Sequence, residues 1–149
     1  MEILCRIHIE RKSKMKVLMS LMKLDLGGAE THVIELAKEL RRRGWEVLVA
    51  SNGGVCTDEL ESAGIRHYTV PLQNKNPKNV INAFKMLKKI IVDEKVDIVH
   101  SHARIPSFIL GKLQKKMGFP FVTTAHGVFT TKYGLKYITD WGQKTLAVS

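Results

Sequence analysis

A doubly wound α/β fold, in which helices cover both faces of a parallel β-sheet, is the architecture that this sequence predicts. Short apolar runs alternate along the chain with longer segments whose apolar residues recur every three or four positions. The first pattern is typical of strands buried on both faces, and the second is typical of amphipathic helices. A regular alternation of the two indicates parallel strands joined by helices. The length of 149 residues fits one domain of this kind.

The strands are expected at six apolar runs, most of which end at a glycine, a proline or a polar residue. These runs are Val17–Leu21, Trp45–Ala50, Ile65–Val70, Val96–Val99, Phe121–Ala125 and Thr145–Ser149. Pro71 ends the third run, because proline cannot donate a backbone hydrogen bond to a neighbouring strand. The sixth run reaches the end of the sequence without a following helix, and we therefore expect the domain to be truncated.

Four helices are expected between these strands. The first begins at Gly27–Gly28 and extends to about Arg43, where Gly44 supplies a stop signal. Its apolar stripe consists of Ala29, Val33, Leu36, Ala37 and Leu40. The other helices are expected at Thr57–Ala63, at Val80–Val92 after a polar loop over Leu72–Asn79, and near Pro106–Met117. Pro106 suits the first turn of the last helix, where its missing N–H costs nothing.

Composition limits the function classes. A net charge of +10 favours anionic partners, but no aromatic platform or reading motif accompanies the charge, so nucleic acid is not an expected partner. Two cysteines without a C-x-x-C spacing favour a reducing compartment. Residues 1–14 are interpreted as an N-terminal extension that is too short and too charged for a signal peptide, and no run is long enough to span a membrane. We therefore expect a cytoplasmic domain.

Lysines cluster on the last two helices. Lys85, Lys88 and Lys89 belong to one helix, and Lys112, Lys115 and Lys116 belong to the next. A solvated face is the simplest explanation for such a cluster. The alternative is peripheral contact with an anionic membrane, at its inner face, through a basic amphipathic helix.

Two groups of residues are expected at the carboxyl ends of the strands, where open α/β sheets bind their ligands. The paired glycines Gly27–Gly28 open a helix whose N–H groups could receive an anion, although a plain tight turn explains them equally well. The sequence has neither G-x-G-x-x-G nor a Walker A motif, so the standard dinucleotide and nucleoside-triphosphate loops are absent.

Histidines form the second group. His100 and His102 are two residues apart on one predicted strand, and His126 follows the next. Together they could hold a metal ion, but a structural role, in which His100 caps strand-end carbonyls, is an alternative. His102 and His126 are the better candidates for the crevice, since each lies at or beyond the end of its strand. His8, His32 and His67 have no such context and are interpreted as surface or incidental residues.

Four blocks of the sequence resemble one known family. The blocks are Gly27–His32, Arg43–Val47, Val96–His102 and Thr124–Gly127. In this order they are similar to the N-terminal domain of GT-B glycosyltransferases, in particular the retaining enzymes of glycosyltransferase family 4. The resemblance implies that this chain is the Rossmann-like N-terminal half of a GT-B fold, which binds the acceptor. A C-terminal half would bind the nucleotide-sugar donor, and the reaction in the cleft would usually need no metal or other cofactor.

The resemblance also implies roles for individual residues. Gly27 and Gly28 would face the donor diphosphate, and His126 would be the catalytic residue that hydrogen-bonds the transferred sugar or the reacting centre. His102 and Glu30 would line the acceptor side, where a glycan or a lipid-linked acceptor binds. Backbone N–H groups near the glycines would stabilise the charge that develops on the departing diphosphate.

One family feature is missing from the sequence. The donor-binding half should carry two glutamates separated by seven residues, but only Glu2 and Glu10 have that spacing, and they lie in the N-terminal extension. The donor-binding domain is therefore expected to be absent, and this chain alone is expected to be inactive. A non-catalytic binding module of the same fold and a metal-dependent hydrolase remain alternatives. Surfaces left open by truncation would favour a homo-oligomer.

Overall fold

The computed structural model describes residues 14–126 and 142–147, which form one parallel sheet flanked by helices. The strands are β1 (Lys16–Ser20), β2 (Glu46–Ser51), β3 (Arg66–Thr69), β4 (Ile98–Ser101), β5 (Phe121–Ala125) and β6 (Lys144–Ala147). The helices are α1 (Gly28–Arg42), α2 (Thr57–Ser62), α3 (Pro77–Asp93) and α4 (Arg104–Met117). The strand order is β3-β2-β1-β4-β5-β6, and every pairing is parallel. The predicted Rossmann-like doubly wound fold is confirmed.

The sheet separates two hydrophobic cores. In β1, Leu18 points into the core under α3 and α4, whereas Val17 and Met19 point into the core under α1 and α2. Successive side chains of a strand face opposite sides of a sheet, so a strand covered on both sides must be apolar throughout. This requirement explains why the central strands appear in the sequence as unbroken apolar runs.

One helix begins earlier than predicted. α3 begins at Pro77 instead of Val80, because Asn76 caps it by accepting a hydrogen bond from the Lys78 N–H at 3.0 Å. The predicted polar loop over Leu72–Asn79 is correspondingly shorter. α4 begins at Arg104, so that Pro106 lies within its first turn.

The fourth strand was predicted two residues too early. Lys95 has a φ of 53° and turns the chain after α3, so the strand begins at Ile98 and extends through His100 and Ser101. His102 is therefore the residue directly after β4. The other predicted strands agree to within one residue at their described ends. Val148, Ser149 and most of the predicted extension over residues 1–14 lie outside the described residues.

The loops after β1 and β2 are joined at the carboxyl edge of the sheet. The Leu24 N–H donates to the Gly53 carbonyl and the Cys56 N–H donates to the Leu24 carbonyl, both at 2.9 Å. Gly54 has a φ of +152°, and a Cβ there would collide with the Leu24 carbonyl. Only glycine suits this position. The two loops, held together in this way, support the segment that leads into α1.

Within the described ranges, no helix combines the length and the hydropathy that crossing a bilayer requires.

Candidate functional site

The candidate site lies where the strand order reverses. The chain proceeds from β1 towards β2 and β3 on one side, and from β4 towards β5 and β6 on the other. The carboxyl ends of β1 and β4 therefore diverge into α1 and α4, and the crevice between such loops is where open α/β sheets bind ligands. His102 follows β4 and His126 follows β5, and both strands end at this edge of the sheet.

A cluster of four histidines occupies this edge. His102 Nδ1 and His126 Nε2 are 3.0 Å apart and share a hydrogen bond. The rings of His100 and His102 have centroids 4.0 Å apart, as expected for two residues whose side chains share a face. The fourth member is His32 of α1, whose ring centroid is 5.0 Å from that of His126 and 6.0 Å from that of His102. We call these four residues the histidine cluster.

His32 is exposed, as expected of a surface residue, but the interpretation of it as incidental is wrong. His32 lies one helical turn after Gly28 in α1, and the start of α1 faces the same sheet edge as the end of β5. The sequence signal for His32 was its spacing of four residues from Gly28, since residues i and i+4 share one side of a helix. His67, by contrast, lies outside the cluster and bonds the Ser51 hydroxyl at 2.8 Å. His8 lies outside the described residues.

The alternative of a metal site at His100, His102 and His126 needs a different set of histidines. His100 is 8% exposed, and its Nε2 shares a hydrogen bond with the Thr124 hydroxyl at 2.7 Å. The three histidines that each offer a nitrogen within 4.8 Å of the others are His32, His102 and His126. A three-histidine set of this kind suits zinc, although an ideal tetrahedral site would bring its nitrogens to about 3.3 Å from one another.

Three members of the cluster, His100, His102 and His126, are uncharged at neutral pH. Burial, with a smaller effect of neighbouring histidines, lowers the pKa of His100 to about 4 and the pKa of His102 to about 2. Burial and the nearby His32 also lower the pKa of His126, against an opposing effect of the Glu30 carboxylate. Each neutral imidazole offers one N–H donor and one lone pair, so these three residues supply hydrogen bonds without net charge.

The glycine pair lies at the start of α1, as predicted. Gly27 is the N-cap residue and has no side chain that could accept from the first N–H groups of the helix. The carboxylate of Glu30 lies beside Gly27, where a Cβ would collide with it, while a Cβ at Gly28 would meet no atom within 4 Å. The structure thus brings Gly27, Gly28, Glu30 and His126 to one edge. His102 is adjacent but only 3% exposed, so it has little surface with which to meet an acceptor.

Comparison with known proteins decides the family. The family model described as Glycosyltransferase Family 4 matches residues 26–149, which include the whole candidate site. The chain belongs to Glycosyltransferase Family 4. An uncharacterised glycosyltransferase from Methanocaldococcus jannaschii is 32% identical over 91% of this chain and 41% of its own length. One of the human phosphatidylinositol N-acetylglucosaminyltransferase subunits is 27% identical over 70% of the chain and 23% of its own length.

Solved structures agree with this family-4 assignment. A glycosyltransferase from Rickettsia africae superposes with a TM-score of 0.75 at 30% identity, covering 92% of this chain and 37% of that protein. HepE from Anabaena, solved in complex with UDP-glucose, superposes with a TM-score of 0.64 at 18% identity, over 82% of this chain and 32% of its own. The family-4 chain described here therefore spans less than half the length of these relatives. At this lower identity, the likeness to HepE shows the GT-B type of fold alone.

Proposed function

We propose that this chain is the acceptor-side half of a glycosyltransferase that moves a sugar from a nucleotide-sugar donor to a glycan or lipid-linked acceptor. The observation that carries the proposal is that the His126 ring packs against His32, near the start of α1, at the point where the strand order reverses. This packing places a neutral hydrogen-bonding ring beside a helix N-terminus within a family-4 domain. HepE, which shares the fold, is known with UDP-glucose bound.

The start of α1 would receive the donor diphosphate. The N–H groups of residues 28–30 precede the first intrahelical hydrogen bond, which runs from the Thr31 N–H to the Gly27 carbonyl at 3.0 Å. Free N–H groups and the helix dipole favour an anion there. As the sugar leaves, negative charge grows on the diphosphate, and these fixed dipoles stabilise it without reorganisation. Glu30 must swing away from Gly27 to admit the diphosphate, and it then faces the acceptor.

His126 would contact the transferred sugar. It is half-exposed, in contrast to the buried His100 and His102. Since its pKa lies below the ordinary value, the neutral ring hydrogen-bonds the substrate and orients it for reaction. Gly27, Gly28, Glu30 and His126 form the proposed ligand-contacting set, and His102 lies behind His126 on the acceptor side.

Contact with an anionic membrane is proposed for the outer side of α3 and α4. These helices cover the same face of the sheet, and they expose the lysines that the sequence placed there. Lys116 lies 5.4 Å from the centre of the Phe84 ring, and the apolar side chains of Ile81 and Val92 are each 54% exposed. Cationic and apolar side chains on one face suit the inner surface of a cytoplasmic membrane. The human relative's name, which contains phosphatidylinositol, supports a lipid-linked acceptor.

The catalytic proposal is tested with a longer protein that contains this domain together with a donor-binding half. Transfer of labelled sugar from nucleotide sugars to glycan and lipid acceptors should be lost in His126→Ala and retained in His67→Ala, whose histidine is outside the histidine cluster. Equal loss in both variants, or equal activity in both, would contradict the role of His126. Turnover by the 149-residue chain alone would contradict the need for a donor half.

The membrane proposal has its own test. Sedimentation with vesicles that contain phosphatidylglycerol should exceed that with neutral vesicles and should fall as salt is raised. The double variant Lys85→Glu with Lys88→Glu should release the chain, while Arg41→Glu with Arg42→Glu, on the other face of the sheet, should not. Binding that is insensitive to both double variants would contradict the assignment to α3.

Metal-dependent hydrolysis is the second candidate, because His32, His102 and His126 bring three nitrogens together. Elemental analysis of the purified chain separates the two functions. One tightly bound zinc per chain that His32→Ala removes would favour hydrolysis, whereas a metal-free chain would favour the transferase proposal.

A further inference from the structure

We infer that His102 is a positioning residue, which holds His126 in the tautomer that carries its proton on Nδ1. His126 then presents an N–H donor, and the ligand group that it takes is an oxygen acceptor, such as a sugar hydroxyl or a phosphate oxygen. The identity of this ligand rests on the proposed function. The tautomer itself is a property of this chain and can be measured without a substrate.

The hydrogen bond between the two rings limits the arrangements to two. His102 Nδ1 and His126 Nε2 are 3.0 Å apart, so one of these nitrogens carries a proton and the other accepts it. Both rings are neutral near pH 7, since burial holds the pKa of each below its usual value. If His102 donates from Nδ1, His126 must carry its own proton on Nδ1. If His126 donates from Nε2, His102 must carry its proton on Nε2.

The surroundings of His102 favour the first arrangement. Among the described residues, His102 Nε2 has no hydrogen-bond partner, and the residue is only 3% exposed. In the second arrangement this nitrogen would bear a buried N–H without an acceptor. In the first it bears only a lone pair, and buried acceptors without a partner are commoner in proteins than buried N–H groups without one. His102 therefore donates and His126 accepts on Nε2.

The neighbours of His102 hold its ring in the donating position. His100 lies against it at a centroid distance of 4.0 Å, and His100 is itself tied to the Thr124 hydroxyl. His126, at the outer end of this chain of contacts, is the half-exposed member. Its Nδ1 is the nitrogen that the bond to His102 does not use. The tautomer also disfavours a metal at His126, because the lone pair on Nε2 already accepts the proton of His102.

Nitrogen NMR of the 149-residue chain tests this inference. In a sample with ¹⁵N-labelled histidine near pH 7.5, long-range ¹H–¹⁵N correlations distinguish a protonated ring nitrogen from one with a lone pair. We expect the His126 spectrum to show a protonated Nδ1, with His126→Gln used to assign its signals. A protonated Nε2 on His126 in the wild-type chain would overturn the inference.

Two variants separate positioning from mere packing. In His102→Leu the donor is gone, and His126 should change to the Nε2-protonated form that free histidine prefers. In His102→Asn the side-chain amide N–H can replace Nδ1–H, and His126 should keep its proton on Nδ1. His100→Asn is the matched control and should leave His126 unchanged. If His102→Leu does not fold, the wild-type and His102→Asn spectra still decide between the two tautomers.

A tautomer that does not change in a folded His102→Leu chain would also overturn the inference. Because these spectra need neither the sugar donor nor the acceptor substrate, they test the role of His102 independently of the proposed function. Failure of the proposed function would appear separately, as the absence of sugar transfer in the longer protein with its histidines intact.

Discussion

Mild acid should destabilise this domain through the histidine cluster. The pKa of His100 is lowered from 6.5 to about 4 and that of His102 to about 2, mainly because both rings are buried. Below pH 6.5 the unfolded chain binds protons at these histidines while the folded chain does not, so the stability that is present above pH 6.5 is lost as the pH falls towards the folded values. The experiment therefore compares stability at about pH 7 with stability at about pH 5.

The magnitude follows from the two shifts. Each histidine that stays neutral in the folded chain lowers the free energy of unfolding by about 1.4 kcal/mol for each pH unit below its unfolded pKa. By about pH 5, His100 and His102 together should therefore remove about 4 kcal/mol of stability. His67 and His126, whose pKa values are also lowered, add to the slope in the same direction. Carboxylates contribute little in this window, since even Glu94, with a pKa lowered to about 2 by Arg66 and other partners, has an unfolded value near 4.5.

Urea unfolding followed by circular dichroism at several pH values measures this effect. In His100→Asn and in His102→Asn the pH dependence between about pH 7 and about pH 5 should fall by about 2 kcal/mol each. These variants are compared by the slope of stability against pH, since their stability at any one pH also changes with packing. A wild-type stability that is constant over this range, or a variant with both substitutions whose slope equals that of the wild type, would refute the argument.

Three further predictions concern the stability and the self-association of the domain. Gly54→Ala should lower the free energy of unfolding by about 1–3 kcal/mol, because of its positive φ and the close Leu24 carbonyl, while Gly28→Ala should be tolerated in the same urea titration. Glu94→Gln should cost about 2 kcal/mol by weakening bonds to Arg66, Lys16 and Tyr68, whereas Glu39→Gln, on an exposed helix end, should have little effect on the unfolding midpoint. Sedimentation at high concentration should detect self-association through the exposed edge strand β6, and Leu146→Lys should abolish it; a wild-type chain that stays monomeric would exclude this edge as an interface.

The sequence was sufficient for the fold because each central strand is covered on both sides. Such coverage makes a run like Val47–Ala50 apolar without interruption, and no amphipathic helix has that pattern. Element ends were less predictable, since they depend on local hydrogen bonds. Asn76 and Pro77 form a recognisable cap and first turn, but the apolar periodicity of α3 begins only at Val80, so periodicity alone places the start of the helix too late.

The histidine cluster was only half predictable, for a different reason. His102 and His126 follow strands, and all parallel strands end at the same edge, so sequence position alone brings them to one side of the sheet. Whether they touch depends on β4 and β5 being neighbours, which is a property of the strand order. His32 depends in addition on how α1 is rotated against the sheet. His102 was expected to line the acceptor side, but its depth behind His126 depends on packing that no spacing in the sequence records.

The same burial limits what the histidine cluster can do chemically. A general acid must hold a proton near the working pH, but burial keeps His100 and His102 unprotonated far below neutrality. In the proposed transferase the cluster would therefore act by hydrogen bonding and orientation. The N–H groups at the start of α1 would stabilise the negative charge of the departing diphosphate, because their partial positive charge does not depend on protonation. This division predicts that His126→Ala lowers turnover without changing the shape of its pH profile. A wild-type profile governed by an ionisation that His126→Ala removes would instead assign proton transfer to His126.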